Sequence, residues 1–261
     1  MKLCVDVGNT TIRLGFYQSS LLEEIIINTD INRSMDEFIS SILSLCSQRN
    51  IHVEEVENII YSSVVPNINE NLKGALKHIF LKAEILDLDL SLPIKVKIDV
   101  DNPKEVGGDL IADLVGANAK YQAPILIIDL GTATKFLLLD KDHRFTSALI
   151  MPGIKVAAES LFSKAALLHE VDLSSPTNVL DSKNTNDCIK HGVLFGHLES
   201  IKGLSERFEK EIGYKLTKVI TGGNGNYLIS LLPSDYIKDD TLVLDGEIEI
   251  LNAYLSERGK K

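Results

Sequence analysis

Two stretches of sequence decide how this chain is interpreted: DVGNTTIRLGFY at residues 6–17 and DLGTATKFLLLD at residues 129–140. Each begins at the end of an apolar run, has an aspartate two residues before a glycine, and continues past hydroxyl side chains into a second apolar run. A strand, a tight glycine turn and a second strand explain this pattern. Because both stretches occur in the same context almost half a chain apart, we interpret them as an internal duplication.

The segments around these hairpins alternate between strand and helix patterns. After the first hairpin come a third strand, a helix capped by Ser34, and then strand, helix and strand patterns. A helix over residues 110–121 precedes the second hairpin, which is followed by a strand, a helix, a long helix near 186–210, a strand and a final helix near 247–255. This order predicts an α/β protein with two halves, residues 1–120 and 121–261.

Composition excludes several classes of function. The formal charge of −10 opposes nucleic acid and anionic membranes at long range. We find no apolar run of membrane-spanning length and no signal peptide, so we expect a soluble cytoplasmic protein. The three cysteines form no CxxC pair, as expected in a reducing compartment.

Both hairpin turns have the components of a phosphate site: a glycine whose backbone N–H groups can face an anion, nearby hydroxyls, and a carboxylate for Mg²⁺. The first turn contains Asp6, Gly8, Asn9, Thr10 and Thr11, and the second contains Asp129, Gly131, Thr132 and Thr134. Either turn alone is equally explained as an ordinary hairpin. No GxxxxGK[ST], GxGxxG or kinase catalytic loop is present, so we expect the two hairpins to hold a triphosphate in a cleft between the halves.

Two further glycine motifs are candidates for ligand contact. ITGGNGN at residues 220–226 follows a strand, and its flat backbone suits an adenine or ribose, although a plain strand-to-helix turn explains it as well. DNPKEVGGDL at residues 101–110 brings Asp109 to the start of a helix. An aspartate there is commonly a helix cap, but a carboxylate at a cleft edge can also accept a proton from a substrate hydroxyl.

Taken in order, these motifs resemble the type III pantothenate kinases, members of the superfamily of acetate and sugar kinases, heat-shock chaperone ATPases and actin. The similar segments run from DVGNTTIRLG through NPKEVGGD, DLGTATKF, MPGI, NTNDCIKHGVLFG and ITGG to LDGEIEILNAYL. The resemblance implies duplicated actin-like (ribonuclease H-like) domains, each a mixed five-stranded sheet with flanking helices. It also implies transfer of the ATP γ-phosphate to pantothenate, the first step of coenzyme A synthesis, by a homodimer.

The resemblance also implies roles for individual residues. ATP and its phosphates would contact Asp6, Gly8, Asn9, Thr10, Thr11, Arg13, Gly131, Thr132, Thr134, Gly222 and Gly223. Pantothenate would contact Val100, Gly107, Gly108, Asp109, Leu110 and Thr185. Asp109 would be the catalytic base, Asp6 would position Mg²⁺, and Asp129 would bind a monovalent cation, K⁺ or NH₄⁺.

This sequence departs from the family pattern at several positions. Val100 stands where an aromatic residue is typical, and Leu110 stands where an arginine is typical. Lys135 replaces a common threonine, His169 replaces a usual proline, and residues 147–149 read Ser-Ala-Leu instead of Gly-Gly-Ala. Two alternatives therefore stay open: a non-catalytic nucleotide-binding regulator, and a kinase or phosphatase of the same superfamily for another small acceptor.

Overall fold

The computed structural model describes residues 1–164, 170–174 and 176–259. In chain order the strands are β1 (Lys2–Val7), β2 (Thr11–Tyr17), β3 (Leu21–Asn28), β4 (Asn58–Ser63), β5 (Glu84–Asp87), β6 (Lys97–Ile98), β7 (Ile125–Leu130), β8 (Ala133–Leu139), β9 (Arg144–Pro152), β10 (Thr217–Thr221) and β11 (Tyr236–Lys238). The α-helices are α1 (Met35–Gln48), α2 (Asn69–Ile79), α3 (Gly108–Lys120), α4 (Ile154–Lys164), α5 (Thr185–Ile212) and α6 (Leu242–Arg258). The predicted α/β class is confirmed.

The two sheets share one topology. The first has the order β3-β2-β1-β4-β5, and the second has the order β11-β10-β7-β8-β9-β6. In both, an antiparallel meander of three strands is extended by two parallel strands. Read from its other edge, the second sheet repeats the first strand for strand, as the duplication predicts. It differs from the predicted five strands because β6 adds to β9 in parallel.

The chain divides into two compact units, which we describe separately. The first unit comprises Met1–Lys95, Asn102–Ala119 and Leu242–Lys261, and the second comprises Val96–Asp101 and Lys120–Thr241. One boundary between the units lies between Ala119 and Lys120, and the division into functional halves at residues 120 and 121 stays a prediction. The predicted halves differ from these units in that residues 96–101 group with the second unit and the C-terminal helix α6 with the first.

The C-terminal helix groups with the first unit because it packs backbone to backbone against α3. A Cβ atom at Gly246 would lie 1.8 Å from the carbonyl oxygen of Ala112, and one at Gly116 would lie 2.4 Å from that of Leu242. Only glycine permits such a close approach of two helices. The crossing brings the middle of α6 next to α3, the helix that carries Asp109 in its first turn.

Local sequence signals explain where the first helix starts. Ser34 accepts a hydrogen bond from the backbone N–H of Glu37, and the Glu37 side chain accepts one from the backbone of Ser34. This reciprocal capping box satisfies two amide groups that the first turn of a helix leaves without partners. The predicted cap at Ser34 is therefore confirmed.

The core of each unit lies along its central strands. In β1 and β7 almost every apolar side chain is fully buried, as expected for strands covered on both faces. None of the helices in the described part of the chain combines the length and the apolar character that a membrane span requires.

Candidate functional site

The first hairpin turn has a fixed backbone and exposed side chains. The Gly8 amide donates to the carbonyl of Thr11 at 2.9 Å, and the Thr29 hydroxyl donates to the carbonyl of Gly8 at 2.6 Å. The Thr29 amide donates to the carbonyl of Thr10 at 2.9 Å. Asn9 and Thr10 are exposed. The predicted phosphate contacts therefore lie on a turn whose backbone accepts two hydrogen bonds from Thr29, the residue directly after β3.

Asp6 lies at the end of β1, where three elements meet. In the sheet register it faces Arg13 of β2 on one side and Ser62 of β4 on the other. The Arg13 guanidinium donates to the carboxylate of Glu24 on β3. Arg13, opposite Asp6 in the register, therefore has part of its positive charge balanced by Glu24.

Asp109 lies in the first turn of α3, directly after two glycines that pack closely against neighbouring side chains. A Cβ atom at Gly107 would lie 2.5 Å from Oδ1 of Asp109, and one at Gly108 would lie 2.7 Å from Oγ of Ser62. A side chain at either glycine would displace the Asp109 carboxylate or the Ser62 hydroxyl from its present position. Asp109 is half-buried. In the first unit the structure thus brings the start of α3 to the strand ends that carry Asp6.

Sequence reasoning missed two buried polar groups near this location. The Ser62 hydroxyl and both carboxylate oxygens of Glu247 are buried and have no hydrogen-bond partner among the described residues. Burial raises the pKa of the Glu247 carboxyl well above its usual range, and the negative charge of Asp6 raises it further. The available signal was a glutamate within the apolar sequence LVLDGEIEIL of α6.

The second hairpin turn repeats the first and adds a helix terminus. The Gly131 amide donates to the carbonyl of Ala133 at 3.1 Å, and the Gly153 amide donates to that of Thr132 at 3.0 Å. A Cβ atom at Gly153 would lie 2.4 Å from each of the carbonyl oxygens of Gly131 and Thr132. The start of α4 therefore abuts the turn, and helix N-termini favour anions. Thr132 is exposed, whereas Thr134 is fully buried and its hydroxyl has no partner among the described residues.

The ITGG segment packs against this second turn. Gly222 has a φ of +87°, and a Cβ atom there would lie 2.4 Å from Oδ1 of Asp129. The Asn224 amide donates to the carbonyl of Leu130 at 2.9 Å, and its side chain donates to that of Gly131, also at 2.9 Å. Gly223 is exposed with open space around its Cα. In the second unit, Gly131, Gly222 and Asp129 are therefore brought together.

Asp129 is held by a cation from its own sheet. Lys135 lies directly opposite on β8, and its Nζ lies 2.8 Å from Oδ2 of Asp129. Only 13% of the Asp129 side chain and 16% of the Lys135 side chain are exposed. A monovalent ion on that oxygen would compete with the ammonium group, so these residues do not fit the predicted cation ligand.

Mg²⁺ has a different requirement, which the described residues fit. Among all the residues that the structure describes, no group of three His, Cys, Asp or Glu side chains could hold a metal ion. However, Mg²⁺ is commonly bound by one or two carboxylates together with substrate phosphates and water. The Asp6 carboxylate, at the edge of an exposed turn, is a group of this kind.

The predicted acceptor residues are divided between the two units. Gly107, Gly108 and Leu110 belong to the first unit, whereas Val100 and Thr185 belong to the second. Thr185 is exposed at the start of α5 and lines a cavity of about 880 Å³ in the second unit. Residues of α4 and α5, including Ala157 and Gly192, line much of the rest, together with Met151 of β9 and residues 182–184 before α5. His169 lies outside the described residues.

Comparison with known proteins gives one family. The sequence model of the type III pantothenate kinase family matches residues 2–207. A type III pantothenate kinase from Exiguobacterium sibiricum is 35% identical over 247 residues, which cover 94% of this chain and 96% of that protein. A second from Acholeplasma laidlawii is also 35% identical, over 97% of this chain and 98% of the other.

Solved structures show the fold. The activator of 2-hydroxyisocaproyl-CoA dehydratase from Clostridium difficile, with bound ADPNP, has a TM-score of 0.56 at 14% identity, covering 99% of this chain and 96% of that one. Component A of (R)-2-hydroxyglutaryl-CoA dehydratase from Acidaminococcus fermentans has a TM-score of 0.54 at 14% identity, covering 98% of both chains. At these identities the likeness concerns the fold alone.

Proposed function

Because the chain belongs to the type III pantothenate kinase family, we propose that it transfers the γ-phosphoryl group of ATP to the primary hydroxyl of pantothenate. The product is 4′-phosphopantothenate, and the reaction is the first step of coenzyme A biosynthesis. The observation that carries this proposal is the similarity to pantothenate kinases over nearly the full length of both sequences. We place the enzyme in the cytoplasm, where ATP is available and where its free cysteines stay reduced.

The two hairpin turns are proposed to bind the triphosphate. Each offers a glycine turn, exposed hydroxyl or amide side chains and an aspartate at the strand end, and the second adds the N-terminus of α4. Backbone N–H groups and a helix N-terminus bind phosphate oxygens whatever the net charge of the protein. When bound with ATP, Mg²⁺ neutralises charge on the phosphates, and Asp6 is the residue that would hold it.

Asp109 is the proposed catalytic base. The pantothenate hydroxyl oxygen forms a bond to the γ-phosphorus, the bond from that phosphorus to the β,γ-bridging oxygen breaks, and ADP leaves with the electron pair. The hydroxyl proton passes to the Asp109 carboxylate. Its position supports this role, because it is half-buried at a helix start that lies close to Ser62 of β4, the register partner of Asp6.

Leu110 supports a second candidate function, in which the protein is a kinase of this fold that phosphorylates another acceptor. Pantothenate carries a carboxylate, which arginine recognises through two parallel hydrogen bonds. Leu110 offers no such contact at the position where related sequences typically have arginine, and Arg13 of the first unit is paired with Glu24. A parallel assay of pantothenate and of small alcohols without a carboxylate separates the two candidates, because the second predicts turnover only with the latter.

Substitution of Asp109 by asparagine tests the mechanism. A general base contributes about a hundredfold to ten-thousandfold in rate, so Asp109→Asn should lose that much turnover while its ATP affinity stays unchanged. Asp36→Asn is a matched control, because Asp36 is also in the first turn of a helix but is exposed in α1. Full activity of Asp109→Asn would show that another group takes the proton. Light scattering of the purified enzyme tests whether it is a homodimer.

A further inference from the structure

Lys135 occupies the place in which the resemblance puts a metal ion. It stands on β8 directly across from Asp129 of β7, two residues beyond the start of the strand. Its ammonium nitrogen lies 2.8 Å from Oδ2 of the carboxylate, a normal distance for a hydrogen bond between charged groups. Both side chains are largely buried, so solvent screens their attraction far less than at an exposed site.

The remaining side of the Asp129 carboxylate is enclosed by backbone. Gly222 approaches Oδ1 so closely that a Cβ atom on it would lie 2.4 Å away. Asn224 ties the same segment to the second hairpin through bonds to the carbonyls of Leu130 and Gly131. One carboxylate oxygen therefore faces a fixed glycine loop, and the other faces the ammonium group.

The first hairpin also has a basic residue opposite its aspartate. Arg13 has the equivalent position opposite Asp6, but its Nε donates to Glu24 of β3. In the second hairpin Lys135 is paired with Asp129 itself. The duplicated register thus places a basic residue opposite each aspartate.

We propose that the Lys135 ammonium is the resident cation of Asp129, so that this enzyme needs no monovalent metal ion there. The ammonium group has the single positive charge of K⁺, is attached to the sheet, and donates to the oxygen that an ion would need. Lys135 is accordingly a positioning residue, which fixes Asp129 and the turn around Gly131. Only the expected effect of Lys135 on activity depends on the proposed phosphate-binding role of this hairpin. The pairing of Lys135 with Asp129 in place of a metal ion does not depend on it.

The first test uses the unaltered enzyme without substrates. Thermal unfolding is measured in potassium chloride and in tetramethylammonium chloride at the same ionic strength. We expect the same midpoint in both salts, because an ion that does not bind the folded state cannot stabilise it. A midpoint that rises with potassium and saturates would overturn the proposal. This readout is independent of kinase activity, so it stands even if the proposed reaction is wrong.

The second test creates the ion site. Lys135→Thr removes the ammonium group and leaves the largely buried Asp129 carboxylate without its counter-charge. That carboxylate should then bind K⁺. We expect the midpoint of this variant to rise with potassium, and its activity in tetramethylammonium to be about tenfold to a hundredfold lower than with potassium. Lys141→Thr, in the exposed turn after β8, is the control and should respond to neither salt.

Two results with Lys135→Thr would contradict the proposal. If the folded variant is equally active in both salts and its midpoint is unchanged, Asp129 needs no cation. If it is folded and inactive in both salts, Lys135 acts directly on substrate. Should the variant fail to fold, the salt comparison on the unaltered enzyme still decides.

Discussion

Substitution of Glu247 by methionine is expected to stabilise the protein. Glu247 is fully buried in α6, and neither carboxylate oxygen has a hydrogen-bond partner among the described residues. A buried polar group without a partner costs about 1–3 kcal/mol in mutational measurements. Methionine has a similar length, no strongly polar atom and enough flexibility to fill the space. We therefore expect the free energy of unfolding to rise by about 1–3 kcal/mol near neutral pH.

The size of this effect should depend on pH. Burial raises the pKa of the Glu247 carboxyl well above its ordinary value, Asp6, Asp113 and Asp109 raise it further, and Arg13 opposes them. In the unfolded chain the same group ionises near pH ~4.3. The folded state holds the proton of the Glu247 carboxyl more tightly than the unfolded chain does. The contribution of this proton to stability is therefore fully present below the unfolded pKa and is lost as the pH rises through the folded pKa. The loss approaches about 1.4 kcal/mol per pH unit between the two pKa values.

Urea unfolding followed by circular dichroism, at several pH values from about 5 to about 8, measures both effects. The advantage of Glu247→Met over the unaltered protein should grow as the pH rises. Glu257→Met is the control, because Glu257 is exposed on the same helix and its removal should change stability little. If Glu247→Met is less stable at every pH, or if its advantage does not change with pH, the carboxyl is ionised and the reasoning is refuted.

Three further predictions concern backbone geometry. Gly246→Ala should lower the free energy of unfolding by about 3 kcal/mol or more in urea, since its Cβ would collide with the Ala112 carbonyl; an unchanged midpoint would contradict the close helix crossing. Gly222→Ala should weaken ATP binding in calorimetry because φ is +87° and its Cβ meets Asp129; unchanged affinity would separate this loop from the nucleotide site. Ser34→Ala should cost about 1 kcal/mol in thermal unfolding, and Ser34→Thr should restore most of it unless the cap is unimportant.

The duplication could be predicted from the sequence because each copy has the same local pattern of residues. Strand, glycine turn and strand recur at residues 6–17 and 129–140, and the observed strand orders repeat accordingly. The Ser34 cap and the long helix α5 were predicted for the same reason, since capping residues and helical periodicity are signals within one segment.

What the sequence did not show depends on contacts between distant segments. The short strand β6 pairs with β9 through only two residues, too few for a periodic pattern. The position of α6 depends on the approach of Gly246 to α3, more than a hundred residues earlier in the chain. Glu247 is buried as a consequence of that crossing. No local sequence pattern around β6, Gly246 or Glu247 identifies the segment that each of them contacts.

The roles of the candidate site residues stay predictions, whereas the structure gives their positions within each unit. Asp6, Asp109 and the glycines beside them lie at one end of the first sheet, and Asp129 lies with Gly131 and Gly222 in the second unit. The ion pair of Lys135 with Asp129 was not predicted, although the substitution at residue 135 was visible. A register between two strands decides that pairing, and a single sequence does not specify which carboxylate a lysine will reach.

Phosphorus NMR of the purified enzyme with ATP, Mg²⁺ and pantothenate as the only acceptor tests the central claim most directly. We predict that the ATP γ-phosphate resonance is replaced by that of a phosphate monoester together with ADP, and that Asp109→Asn leaves the ATP spectrum unchanged. Persistence of ATP, or release of inorganic phosphate without a monoester, from folded and ATP-binding enzyme would contradict the account.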